Sequence, residues 1–153
     1  MKKLINEVIE WADSKGIYKK LTPSSQLVMA IGELCNEFRD AIIKEKPHEE
    51  IKKELGDVVV FYINHLYMKG LDSDDMNCFF ENAIVVDAQL DDQLLSIVSG
   101  TLREHTQYAI DRLNTLAYRL NSTLEECLQL AHDKNTKRKH TMKNGKLVKD
   151  EDL

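Results

Sequence analysis

Only two prolines, six glycines and one tryptophan occur in 153 residues, so the usual turn-makers are scarce. With long segments of helical periodicity between them, this scarcity reads as a nearly all-α chain. Cysteine is also sparse: Cys35, Cys78 and Cys127 are odd in number, widely spaced and form no CxxC pair. That argues against a disulfide framework and a zinc site, and leads us to expect reduced thiols in a cytoplasmic compartment. No uninterrupted apolar stretch approaches the roughly 20 residues of a membrane span, so no membrane partner is expected. The opening "MKKLINEVIEWADSKG" is too polar for a signal peptide. A net charge of -5 argues against general nucleic-acid affinity, although the C-terminal stretch is locally basic.

A composition of 42% apolar and 31% charged residues fits one domain, residues 1–153, with a real core. A first helix is expected over 2–15, ending near Gly16, with Trp11 packing it. Thr22 and Pro23 form a cap and first-turn pair for a second helix to about 45. Pro47 breaks it, and a third helix runs from 48 to 69, where Gly70 stops it. Helices are also expected over 73–88, 91–104, 105–121 and 123–138. Asn144-Gly145, between short alternating runs, signals a C-terminal β-hairpin. The expected architecture is a multi-helix bundle around an antiparallel helical hairpin.

That hairpin carries two matching apolar stripes. Leu27, Ile31, Leu34, Cys35, Phe38 and Ile42 form one; Ile51, Leu55, Val58, Val59, Tyr62 and Leu66 form the other. Four acids, Glu33, Glu37, Glu54 and Asp57, each directly precede a stripe residue and so lie at the edge of the apolar face. Folded about a turn near Lys46, Glu37 comes level with Glu54 and Glu33 with Asp57. Each pair matches to within roughly 3 Å at about 1.5 Å of rise per residue. Four carboxylates in one small space repel, so they must be protonated, separated by water or bridged by cations. All-oxygen ligands suit Mg²⁺ or Mn²⁺. The alternative is that they are ordinary exposed acids, some paired with Lys52 or Lys53.

The segment "GELCNEF" followed by "KELGDVVVFYIN" resembles the EExxE and ExxD motifs of the MazG-like all-α nucleoside triphosphate pyrophosphohydrolases. Glu54-Leu55-Gly56-Asp57 completes ExxD. In the first motif Glu33 keeps a ligand position, while Gly32 and Asn36 replace glutamates. Either Glu37 supplies the missing carboxylate, or Asn36 ligates through its amide oxygen. The C-terminal "HDKNTKRKH" is similar to the family's KNxxR element through Lys134, Asn135 and Arg138. On a continuing helix, Lys134 and Arg138 share a face and reach one polyphosphate. The resemblance covers about residues 20–70 and 122–153; residues 72–121 are extra helices of unassigned role.

The resemblance implies Mg²⁺-dependent (or Mn²⁺-dependent) hydrolysis of a (deoxy)nucleoside triphosphate to the monophosphate and pyrophosphate. It implies metal ligands among Glu33, Asn36, Glu37, Glu54 and Asp57, and phosphate binding by Lys134, Asn135 and Arg138. Phe61 would stack on the base and Asn64 would read its edge. Because Val60, Phe61 and Ile63 lie off the main stripe, the third helix needs cover on several sides. This places it centrally in a bundle, within an expected homodimer or homotetramer. Two other readings stay open. One is a catalytically weak nucleotide-binding regulatory protein. The other is a helical nucleic-acid or protein adaptor using the basic stretch from Lys134 to Lys149.

Overall fold

Helix boundaries follow the caps written into the sequence. In the computed structural model, which describes residues 1–144 and 146–150, α1 spans Lys2–Ser14 and Gly16 turns the chain with a φ of 75°. A short α2, Ile17–Lys20, follows where a loop was expected. Thr22 caps α3, Pro23–Gly32, in a reciprocal box: its hydroxyl accepts from Ser25 N–H, and the Ser25 hydroxyl accepts from Thr22 N–H.

The expected second helix is continuous in direction but not in type. After Gly32 it widens into a π-helical turn, Glu33–Phe38, then resumes as α4, Arg39–Ile43. The chain reverses through Glu45, at a φ of 50°, into α5, His48–Met68. The remaining helices are α6, Ser73–Glu81; α7, Leu90–Leu102; α8, Thr106–Arg119; and α9, Leu124–Lys137. A helix expected over 73–88 therefore stops seven residues early, at Glu81. The β-branched run Ile84-Val85-Val86 is a weak helix former, and α8 and α7 tie it down as extended chain. Val86 N–H donates to Thr115 Oγ1 at 2.8 Å, and Gln93 Nε2 donates to the Val86 carbonyl at 2.7 Å. The C-terminal hairpin pairs β1, His140–Lys143, with β2, Lys146–Lys149, antiparallel; Gly145 lies outside the described residues.

α5 is the centre of this all-α bundle. It packs against α3, the π turn, α9 and α1, and every member of its expected stripe is buried. Val60 and Ile63, off that stripe, are buried too, which accounts for its apolar circumference. In α3 the buried line is shifted by one residue. Gln26, Ala30, Leu34 and Phe38 are buried, whereas Leu27 and Ile31 are only half-buried.

Gly56 decides how closely α9 approaches. A Cβ there would lie 2.0 Å from the Cys127 carbonyl oxygen and 2.8 Å from Ala131 Cβ, so only glycine permits the contact. Lys52 clamps the same junction through Glu49 at 3.1 Å and Glu126 of α9 at 3.2 Å. Residues 72–121 extend the bundle: α6 packs on α1 and α8, and α7 pairs with α8. No described helix is long and apolar enough to cross a membrane.

Candidate functional site

The α5 surface facing α3 carries Lys53, Glu54 and Asp57, and the π turn brings Glu33 opposite them. One oxygen from each of Glu33, Glu54 and Asp57 lies within 4.8 Å of the other two. The antiparallel pairing expected of the helical hairpin therefore holds for these three acids. Glu37 stays outside that trio, at the exposed rim, but its charge is felt by both Glu33 and Glu54. Asn36 is exposed and takes no part in the wall of the site. The reason is the π turn. Its i→i+5 bonding widens the turn, so position i+3 falls well short of a full rotation while i+4 returns beside residue i. Glu37 thus shares the face of Glu33, and Asn36 swings out.

A cation already sits among these acids. The Lys53 ammonium lies 2.7 Å from Asp57 Oδ2 and 3.3 Å from Glu54 Oε1, with only 11% of its side chain exposed. Burial opposes its charge, yet Asp57 and Glu54 outweigh burial and hold its pKa above the ordinary value. One ammonium does not neutralise the group. Burial, reinforced by the charges of Asp57 and Glu54, raises the Glu33 pKa from 4.5 to about 7. Burial also raises Glu54, against the opposing pull of Lys53.

The cluster forms one wall of a cavity of about 910 Å³, within the size range of sites for small organic ligands. Asn135 and Arg138 line the same cavity with Lys146 and Lys149 from the hairpin, so its wall carries both acidic and basic groups. Lys134 does not join them: it is exposed and away from the cavity. The expectation that Lys134 and Arg138 share a helix face fails because α9 ends at Lys137 and Arg138 is extended, with a ψ of 147°.

The cavity wall also holds polar atoms that have no partner among the described residues. Asn64 is fully buried; its Oδ1 accepts from the Tyr18 hydroxyl at 2.7 Å, and its Nδ2 has no partner. Burial holds Tyr18 well above the usual phenol range, so its proton stays and fixes which way the amide faces. Gln26 is 1% exposed and its Oε1 is likewise unpaired. Phe61 lines the cavity beside them, half-buried. Trp11 also lines the cavity, its indole Nε1 without a partner among the described residues and its ring edge-on to His140 of the hairpin at 5.7 Å. Buried amides without partners are rare and costly, and those aimed into a cavity call for a ligand.

Sequence reasoning thus reached Glu33, Glu37, Glu54, Asp57, Phe61, Asn64, Asn135 and Arg138, all of which border this cavity. It missed Gln26, Tyr18 and the hairpin lysines. It had Lys53, which the structure shows bonded to Glu54 and Asp57, only as a pairing partner in the alternative reading. Two of these carried a signal: Gln26 recurs with Ala30, Leu34 and Phe38 at i+4 spacing, and Lys53 precedes Asp57 by four. Tyr18 carried none. Comparison with protein-family models, with curated proteins and with solved structures gave no match.

Proposed function

We propose that this chain is a Mg²⁺-dependent nucleoside triphosphate pyrophosphohydrolase, releasing a monophosphate and pyrophosphate. The observation that carries the reading is the juxtaposition in one cavity of three mutually close carboxylates with Arg138, Asn135 and a buried, unpaired amide pair. The choice of the bond between the α and β phosphorus atoms comes from the resemblance of the Glu54–Asp57 motif.

The donor set suits Mg²⁺ or Mn²⁺: three close carboxylates supply only hard oxygens, and the single ammonium of Lys53 does not match their number. Glu33, Glu54 and Asp57 would hold the ion. When bound, it would supply charge neutralisation at the phosphate oxygens and a more acidic water. Arg138 would bind the departing pyrophosphate, with Asn135 donating to phosphate or sugar oxygens. Glu37 lies outside the trio and lines the same cavity at its exposed rim, which places it to take the proton of the attacking water. Phe61 would stack on the base. Asn64 would donate to a base acceptor and Gln26 would accept from a base donor, with Tyr18 holding Asn64 in register.

A homodimer or homotetramer and a cytoplasmic location belong to the same proposal. The apolar Leu95 and Leu102, 68% and 63% exposed on α7, are the surface on which we expect a second copy. A catalytically weak nucleotide-binding protein is the second reading, favoured by Gly32 and by Asn36 turned to solvent. A panel of (deoxy)nucleoside triphosphates with Mg²⁺, scored for pyrophosphate release, separates the two. Turnover lost in Glu54→Gln and Asp57→Asn, with circular dichroism unchanged, supports the enzyme. Nucleotide binding without pyrophosphate release favours the second reading, and salt-steep nucleic-acid binding without a metal requirement favours an adaptor.

A further inference from the structure

The two adjacent lysines of α5 have different attachments. Lys52 is committed to Glu49 and to Glu126 on α9, acids that lie outside the cavity, and so serves the packing of two helices. Among the described residues, Lys53 bonds only to Glu54 and Asp57, two of the three carboxylates that converge in the cavity. Its side chain is 11% exposed, so solvent screens the contact little.

We infer that Lys53 is a built-in occupant of the cation site: its ammonium holds the carboxylates together until a divalent ion displaces it. The inference rests on the metal-binding reading above. The geometry makes the two occupants exclusive. Asp57 Oδ2 is 2.7 Å from the ammonium, and the oxygens of the trio span no more than 4.8 Å. A hard divalent ion binds carboxylate oxygens at about 2.0–2.1 Å for Mg²⁺, so it would occupy the same gap as the ammonium. Two cations at that separation repel strongly, and the side chain on its flexible stem is the one that moves. The cavity is built for a ligand on independent grounds, since Gln26 and Asn64, both at most 1% exposed, hold unpaired polar atoms in its wall. Lys53 thus solves the problem of an empty acidic site. It lowers the repulsion while the site waits, and in return it sets a threshold concentration below which ions do not enter.

The test is Mn²⁺ binding to the full chain without nucleotide, followed by calorimetry and by the paramagnetic resonance of free Mn²⁺. Lys53→Met should bind Mn²⁺ about tenfold more tightly than the wild type, the size of effect expected when a competing charge at ion-pair distance is removed. Its melting temperature in chelator should fall, because the acids lose their counter-ion. Lys149→Met removes a charge from the same cavity without touching the trio, and should tighten binding by less than twofold, roughly the residue of a screened interaction. In ¹⁵N-lysine-labelled protein, the Lys53 ammonium resonance should shift on adding Mg²⁺ while that of Lys52 stays. Unchanged or weaker Mn²⁺ binding in Lys53→Met overturns the inference and makes Lys53 a scaffold, with the metal reading intact. Equal tightening in Lys149→Met also overturns it, leaving only general electrostatics. No Mn²⁺ binding to either protein overturns the inference together with the metal reading.

Discussion

Replacing Glu33 with Gln should stabilise the metal-free protein at pH 8 while removing its response to divalent ions. Burial and the neighbouring Asp57 and Glu54 raise the Glu33 pKa from 4.5 to about 7. A carboxyl with a raised folded-state pKa binds its proton more tightly in the native state. Its contribution is therefore favourable below about pH 4.5 and is lost as pH rises to about 7, with no further change above. The interval of about 2.5 pH units corresponds to roughly 3.4 kcal/mol at full weight. Because this carboxyl still reaches solvent, screening reduces the figure to roughly 2 kcal/mol. Glutamine keeps the shape and discards the charge. At pH 8 the variant should then melt about 4–8 °C higher than the wild type in chelator, at 2–4 °C per kcal/mol for a chain of this size. Near pH 4.5 the gap should close. Saturating Mn²⁺ should reverse the order, since an ion at about 100 times its Kd adds roughly 2.7 kcal/mol to the wild type alone. Differential scanning calorimetry at pH 4.5, 6 and 8, with and without Mn²⁺, reads all three. A variant less stable than the wild type at pH 8, or a gap independent of pH, would refute the electrostatic account of this cluster.

The other consequences are simpler to measure. Glu37→Gln should bind Mn²⁺ close to wild-type affinity while kcat falls by about 10²-fold or more, as for a lost general base; equal loss of both would make Glu37 a ligand. Gly56→Ala should destabilise by about 3 kcal/mol or more in urea unfolding, because its Cβ meets the backbone of Cys127 rather than a side chain that can yield. Asn64→Leu should raise KM for nucleoside triphosphates and leave the affinity for inorganic pyrophosphate unchanged; a loss of both would detach Asn64 from base recognition.

What could be read from the sequence was what periodicity encodes. The α5 stripe from Ile51 to Leu66 was legible because all six of its members are apolar, recur at helical spacing and are buried. The level pairing of Glu33 with Asp57 followed from rise per residue alone. Gln26 escaped because a polar residue in a helix reads as surface by default, although it is 1% exposed in the cavity wall. Lys134 was misplaced for a local reason: nothing in "KNTKRKH" marks the helix end, which depends on the chain turning at Arg138 to enter β1. Tyr18 sits in a helix of only four residues and meets Asn64 forty-six positions away, a contact set by tertiary packing.

The π turn is the least legible feature and decides which of Asn36 and Glu37 stays on the face of Glu33. Gly32 stands directly before the turn, but a lone glycine in a helix does not specify a π turn, so the sequence alone left Asn36 and Glu37 both as candidates. Had Glu33–Phe38 stayed α-helical, positions i+3 and i+4 would both flank Glu33. In the widened turn only Glu37 remains on that face, and Asn36 is exposed. Restoring the acid of the motif by Asn36→Glu should therefore leave Mn²⁺ affinity within about twofold of wild type, the effect of one more screened surface charge. If the π geometry were wrong, the added carboxylate would join Glu33, Glu54 and Asp57, and affinity would rise by about tenfold or more. Titration of Mn²⁺ into the two proteins at low and high salt distinguishes these outcomes, since a surface charge acts only at low salt and a ligand acts at both.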